Sequence, residues 1–119
     1  MNISFQSDVL TVDGVDTVLP YPIQEVLAIR DVVIVRVDSD LALSVGDKSL
    51  NRNVYAFDKI GKLIWQIEES PHGGAGRSKP YMAIKNENGN LYADNWIGVN
   101  YVVDLGNGKV KTHESGRPW

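Results

Sequence analysis

Residues 53–65, NVYAFDKIGKLIW, constrain the fold more than any other stretch of the chain. An aromatic and β-branched run meets Asp58, turns through a segment containing Gly61, and continues into a second apolar run that closes on Trp65. That order of residues predicts a strand, a tight turn and a returning strand. The plan recurs in YMAIKNENGNLYADNW (81–96), with NENGN as the turn, and in VNYVVDLGNGKVKTHE (99–114), with GNG. DVVIVRVD (31–38) is a strongly β-branched run that reads as a buried strand. IQEVLAIRD before it has some helical spacing, but its junction with that run favours a strand. NISFQSDVLTVDG alternates, with Ile3 and Phe5 on one parity, up to an Asp-Gly turn; VDTVLPYP is then broken by two prolines. Turn signals this closely spaced define an all-β chain with little or no helix.

A repeat is visible between the two halves. VLAI (26–29) matches YMAI (81–84), and VYAFDKIGKL (54–63) matches YVVDLGNGKV (101–110). Ala28 and Ala83 are 55 residues apart, whereas Asp58 and Asp104 are 46 apart. The first unit is therefore expected to hold about nine extra residues, placed in the connector 38–52. Two units of four short strands follow, 1–70 and 80–115, joined by the glycine-rich loop 71–79 within a single domain of 119 residues.

NVYAFDKIGKLIW is similar to the repeat of quinoprotein-type β-propellers, in which a valine-tyrosine-alanine strand runs into aspartate, a glycine-lysine turn and a strand closing on tryptophan. The resemblance covers 53–65 and, without the tryptophan, 100–110. It implies turn roles for Asp58 and Gly61 and a packing role for Trp65. A closed propeller needs at least about four blades, so two blade-like antiparallel units imply a half-propeller or a β-sandwich-like pair. No quinone- or metal-binding residue is carried over.

Composition then narrows the function. The absence of cysteine excludes disulfides and thiolate metal sites. The first residues are polar, without a basic segment leading into an apolar one, and a cytoplasmic location is expected. Apolar runs fall far short of the roughly 20 residues that span a bilayer, so no membrane association is expected. His72 and His113 stand alone, with no metal-ligand spacing around them. DSDLALSVGD (38–47) lacks the closing glutamate of a calcium loop, and HGGAGRSK (72–79) fits no phosphate-loop spacing and reads as a linker. With no nucleophile-base pair and no cofactor motif, the expectation is a binding protein rather than an enzyme.

Charge points to the kind of partner. Residues 1–47 hold eight acids and two bases, a net of −6, while 48–119 hold seven acids and ten bases, a net of +3. An acidic segment disfavours direct nucleic-acid binding and favours a basic protein. Asp38, Asp40, Asp47, Glu68 and Glu69 lie in or beside connectors, where partner contacts usually sit. Tyr92, Asp94 and Trp96 share one parity and are expected on one strand face, with Trp96 as the aromatic anchor and one of the two aromatics packed in the core. In size and charge the chain resembles bacterial immunity proteins of contact-dependent growth-inhibition systems. That resemblance implies neutralisation of a cognate toxin, a nuclease with a basic cleft, by a monomer or weak homo-oligomer. The alternatives are a carbohydrate- or ligand-binding module using Tyr92, Trp96 and the asparagines of NENGN, and a structural β protein that assembles with itself through open edges.

Overall fold

A computed structural model describes residues 1–38, 51–71, 80–95 and 98–113. Among these residues there are eleven strands and no α-helix, so the all-β expectation holds. They form three antiparallel sheets rather than two. The N-terminal sheet contains β1 (Ile3–Gln6), β2 (Val9–Val12) and β3 (Val15–Val18), in that order. The central sheet contains β4 (Ile23–Ile29), β5 (Val32–Val37), β6 (Val54–Phe57) and β7 (Leu63–Gln66). The C-terminal sheet contains β8 (Tyr81–Glu87), β9 (Asn90–Asn95), β10 (Asn100–Val103) and β11 (Val110–Thr112).

The stretch expected to form one unit up to residue 70 thus carries two sheets. NISFQSDVLTVDG, which reads as one alternating strand, folds back on itself at Ser7 and Asp8, pairing Ile3 with Val12 and Phe5 with Leu10. Ser7 adopts a φ of 55° to make that turn, without the glycine or asparagine that usually signals one. The next turn, Asp13 and Gly14, has φ of 47° and 82°, the left-handed pair that an Asp-Gly hairpin provides.

The central sheet is covered on both faces because β5 is apolar on both. Val33, Val35 and Val37 pack with Leu10, Val12, Leu19, Ile23 and Phe57 against the N-terminal sheet. Ile34 faces the other way, with Ala56, Trp65 and Ile67, into a core shared with Tyr81, Leu91 and Tyr101 of the C-terminal sheet. Two cores therefore sit in the two gaps of a three-layer stack. The C-terminal side is also pinned by Trp65, 6% exposed, whose indole Nε1 donates to Leu105 O at 2.8 Å.

The central and C-terminal sheets repeat one another, with a corrected offset. Ile23 pairs with Val37 and, after a bulge, Glu25 with Arg36; Tyr81 pairs with Asn95 and, after a bulge, Ala83 with Asp94. Ile23 therefore corresponds to Tyr81, 58 residues on, rather than Ala28 to Ala83. The 46-residue offset of the second hairpin stands: Val35 pairs with Tyr55 as Ala93 pairs with Tyr101. The surplus is twelve residues, not nine, because sixteen residues separate Val37 from Val54 and four separate Asn95 from Asn100. Short apolar words such as VLAI and YMAI align on composition, while bulges at residues 24 and 82 set the real register.

Candidate functional site

Tight turns and long connectors segregate to opposite ends of the stack. At the turn end lie the hairpins at 13–14, 30–31, 58–62, 88–89 and 104–109. Asp58 and Asp104 organise two of them in the same way. Asp58 Oδ1 accepts from the backbone N–H groups of Ile60 and Lys62, and Asp104 Oδ1 accepts from Gly106. At the other end β5 enters the connector 38–53, β7 enters 67–80, and β9 enters 96–99. The β1–β2 turn joins this end, since Ser7 O and Asp8 O accept from Ile23 N and Leu19 N.

The connector end rests on a buried polar base. Asn53, fully buried, donates through Nδ2 to Val37 O and Tyr81 O, while its Oδ1 accepts from Tyr81 N at 2.8 Å. One amide thereby ties the central sheet to the C-terminal sheet. Tyr81 Oη donates to Glu68 O at 2.7 Å, and burial pushes its phenol far above the ordinary tyrosine range, helped by the neighbouring Tyr101, Glu68 and Glu69. Ser70 Oγ meets Tyr101 Oη at 2.9 Å, and Asn95 Nδ2 donates to both oxygens. Asn95 Oδ1 then accepts from Val99 N, holding the start of β10. These buried groups are paired, so the base costs little desolvation and fixes where each connector leaves the sheets.

Of the acids expected to meet a partner, Asp38, Glu68 and Glu69 are described, each just after a strand that runs toward this end. Asp38 is half-buried at the close of β5, bonded through its N–H to Pro22 O and through Oδ1 to Gln24. Glu68 and Glu69 are exposed after β7. Glu68 is also a clip between sheets: its backbone N–H donates to Gly108 O and its Oε1 accepts from Val110 N. Asp8 adds a fourth acid that the sequence reading did not single out. Arg52 is near them, but its guanidinium bonds the carbonyls of Ile67 and Gln66. Asp40, Asp47, His72 and Trp96 lie outside the described residues.

Tyr92 and Asp94 share a face, as their parity requires, and it is the outer face of the C-terminal sheet. Tyr92 is half-buried there, with Lys85 Nζ 5.8 Å from its ring centre and His113 edge-on at 4.9 Å. Asp94 Oδ1 accepts from Asn100 Nδ2, and Asn100 Oδ1 is buried without a partner. NENGN forms the β8–β9 turn at the turn end, with Asn86 Oδ1 accepting from Gly89 N. Those predicted residues that are described therefore divide between the segments that follow β5 and β7 and this face. Among the described residues no three of His, Cys, Asp or Glu gather as a metal-ligating group, and no helix is long and apolar enough to cross a membrane.

Asn53, Asn95, Ser70, Tyr81 and Tyr101 escaped the sequence reading. Asparagine and serine beside connectors carry the same signal as ordinary turn residues, and only burial reveals the network.

The fold and its two ends define an all-β protein that presents connectors from a hydrogen-bonded base. The family model described as Domain of unknown function (DUF7957) matches residues 1–115, and the chain belongs to that family. No curated protein and no solved structure gives a significant match to it.

Proposed function

We propose that the chain is a cytoplasmic binding protein that neutralises a basic protein toxin, in the manner of immunity proteins of contact-dependent growth inhibition, and that its connector end is the binding face. The observation that supports this reading is that Asp8, Asp38, Glu68 and Glu69 each lie in a turn or just after a strand that leads to that end, where the connectors leave a buried hydrogen-bonded base. Asp40 and Asp47, in the stretch 39–50, belong to the same connector in sequence. Acids on pre-positioned loops steer a basic cleft and lose little entropy on docking. In the same reading the three sheets are blade-like units of a partial propeller, and the protein supplies surface rather than chemistry.

The test is growth rescue. A toxin domain encoded directly upstream of this chain, expressed alone, should arrest growth, and co-expression of this chain should restore it. Co-expressed variants carrying lysine at Asp38, Glu69 and Asp40 should rescue less well. Absence of an upstream toxin gene, or failure of the intact chain to rescue, overturns the reading.

A further inference from the structure

All three sheets face the same way. β4 and β8 each start at the connector end and run to the turn end, so β5 and β9 run back, and the later strands alternate in step. β1, β2 and β3 run as β5, β6 and β7 do, because β1 ends in the turn whose carbonyls hold Leu19 and Ile23. The N-terminal sheet is thus the same unit without its first strand. Leu10, Ala56 and Val102 occupy matching places at intervals of 46 residues, and opposite them on the last strands lie Thr17, Trp65 and Lys111.

One kind of contact recurs between each sheet and the next. Thr17, on the last strand of the N-terminal sheet, lies against Gly61 in the final turn of the central sheet, where an added Cβ would meet its Oγ1 at 2.8 Å. Trp65, on the last strand of the central sheet, lies against Gly108 in the final turn of the C-terminal sheet, where an added Cβ would meet the indole at 2.6 Å. The corresponding turn glycine of the N-terminal sheet is Gly14, with φ of 82° like the 86° and 76° of the other two, and nothing lies within 4 Å of its Cβ position. The corresponding last-strand residue of the C-terminal sheet is Lys111, which is exposed. The donor half and the acceptor half of a third such contact therefore sit at the two ends of one stack.

The packing between sheets also favours curvature. Neighbouring sheets come closest at their inner strands, β4 against β8 and β1 against β4, while the bulky Trp65 fills the gap further out. The chain measures 44 × 35 × 19 Å, its depth close to half its width, the proportions of half a disc.

We propose that a second copy of this chain docks the outer face of its N-terminal sheet on the outer face of the C-terminal sheet, with Lys111 over the Gly14 turn. The reciprocal contact closes a two-chain ring of six sheets. The faces match in chemistry. Residues 1–29 hold Asp8, Asp13, Asp16 and Glu25 and no lysine or arginine, and Asp13 and Asp16 flank the turn that Lys111 would cover. Val9 and the 71%-exposed Val18 lie on the same outer face as Asp16 and would meet Tyr92 and Val102. Head-to-tail contacts end only when the rotation closes, and blade-like rings hold roughly four to eight sheets. One chain has too few sheets, three chains would have too many, and two fit.

Sedimentation equilibrium of the full chain tests this. The expected particle has twice the 13.2 kDa mass of the chain. Lys111→Glu, which sets a carboxylate against Asp13 and Asp16, and Val18→Asp should each weaken the pair at least about tenfold. Both side chains are exposed, so the denaturant midpoint of the dilute monomer should not move. Since the chain has no cysteine, a Gly14→Cys/Lys111→Cys double variant should oxidise to a covalent dimer while each single variant does not. Removal of residues 114–119 should leave the pair intact. A monomer at all concentrations, open-ended larger species, a pair indifferent to both surface substitutions, or a pair that forms only after removal of 114–119 would each overturn the proposal.

Discussion

The two ends of the sheet stack solve the same problem of chain reversal by different physics. At the turn end, reversal is local: Asp58, Asp104 and Asn86 cap their own turns, and left-handed residues such as Asn88 and Gly89 supply the backbone angles. At the connector end, the connectors start and stop on buried side chains from distant parts of the chain, with Asn53 reaching Tyr81 and Ser70 reaching Tyr101. Local turns tolerate sequence change one at a time. A shared buried base does not, and it leaves the connectors above it free to carry recognition.

The largest contrast should come from asparagines. Asn53→Ala strips a partner from Tyr81 N and from two carbonyls inside the fold, and should lower stability by about 3 kcal/mol in denaturant titration. Asn86→Ala, in an exposed turn, should cost no more than about 1 kcal/mol. Equal losses would erase the distinction between the ends. Glycines give a second contrast. Gly108→Ala and Gly89→Ala both place a side chain at positive φ, for about 1 kcal/mol, but the first also drives a methyl into Trp65 and should cost about 2 kcal/mol. A Gly108→Ala variant as stable as Gly89→Ala would mean that Trp65 moves aside freely.

The third contrast is one of pH. The Tyr81 phenol is raised above its unfolded value of 10.0, so the folded state holds the proton more tightly. Stability is therefore fully present below about pH 10 and declines as pH rises past it. Tyr81→Phe should flatten that alkaline decline while lowering neutral-pH stability by about 1 kcal/mol through loss of the bond to Glu68 O. An alkaline profile unchanged in Tyr81→Phe would place the titrating group elsewhere.

Sequence made the turn end legible and left the connector end opaque. Asp-Gly at 13–14, the Asp58 and Gly61 turn and Asn-Gly at 88–89 announce themselves, because aspartate, asparagine and glycine are selected by local backbone angles. The first hairpin was missed because Ser7 takes a left-handed φ without being a glycine, so period-two alternation ran straight through it. That miss hid an entire sheet. The β-branched run at 32–37 foretold a buried strand, although not that two sheets would cover it on both faces. Of the site, parity placed Tyr92 and Asp94 on one face, since alternation is local. The buried base of Asn53, Ser70, Tyr81, Asn95 and Tyr101 depends on the order of strands, which the twelve-residue surplus in one connector had obscured.

The central claim, that the connector end meets a basic partner, is tested most directly by association kinetics measured across salt concentrations. Asp38→Lys/Asp40→Lys/Asp47→Lys should slow association with the cognate toxin domain by at least about tenfold at low salt and weaken its salt dependence. Asp31→Lys/Glu87→Lys, a reversal confined to the turn end, should leave the association rate within about twofold. Equal slowing by the two variants, or no slowing by the first, would contradict the assignment of the connector end as the binding face.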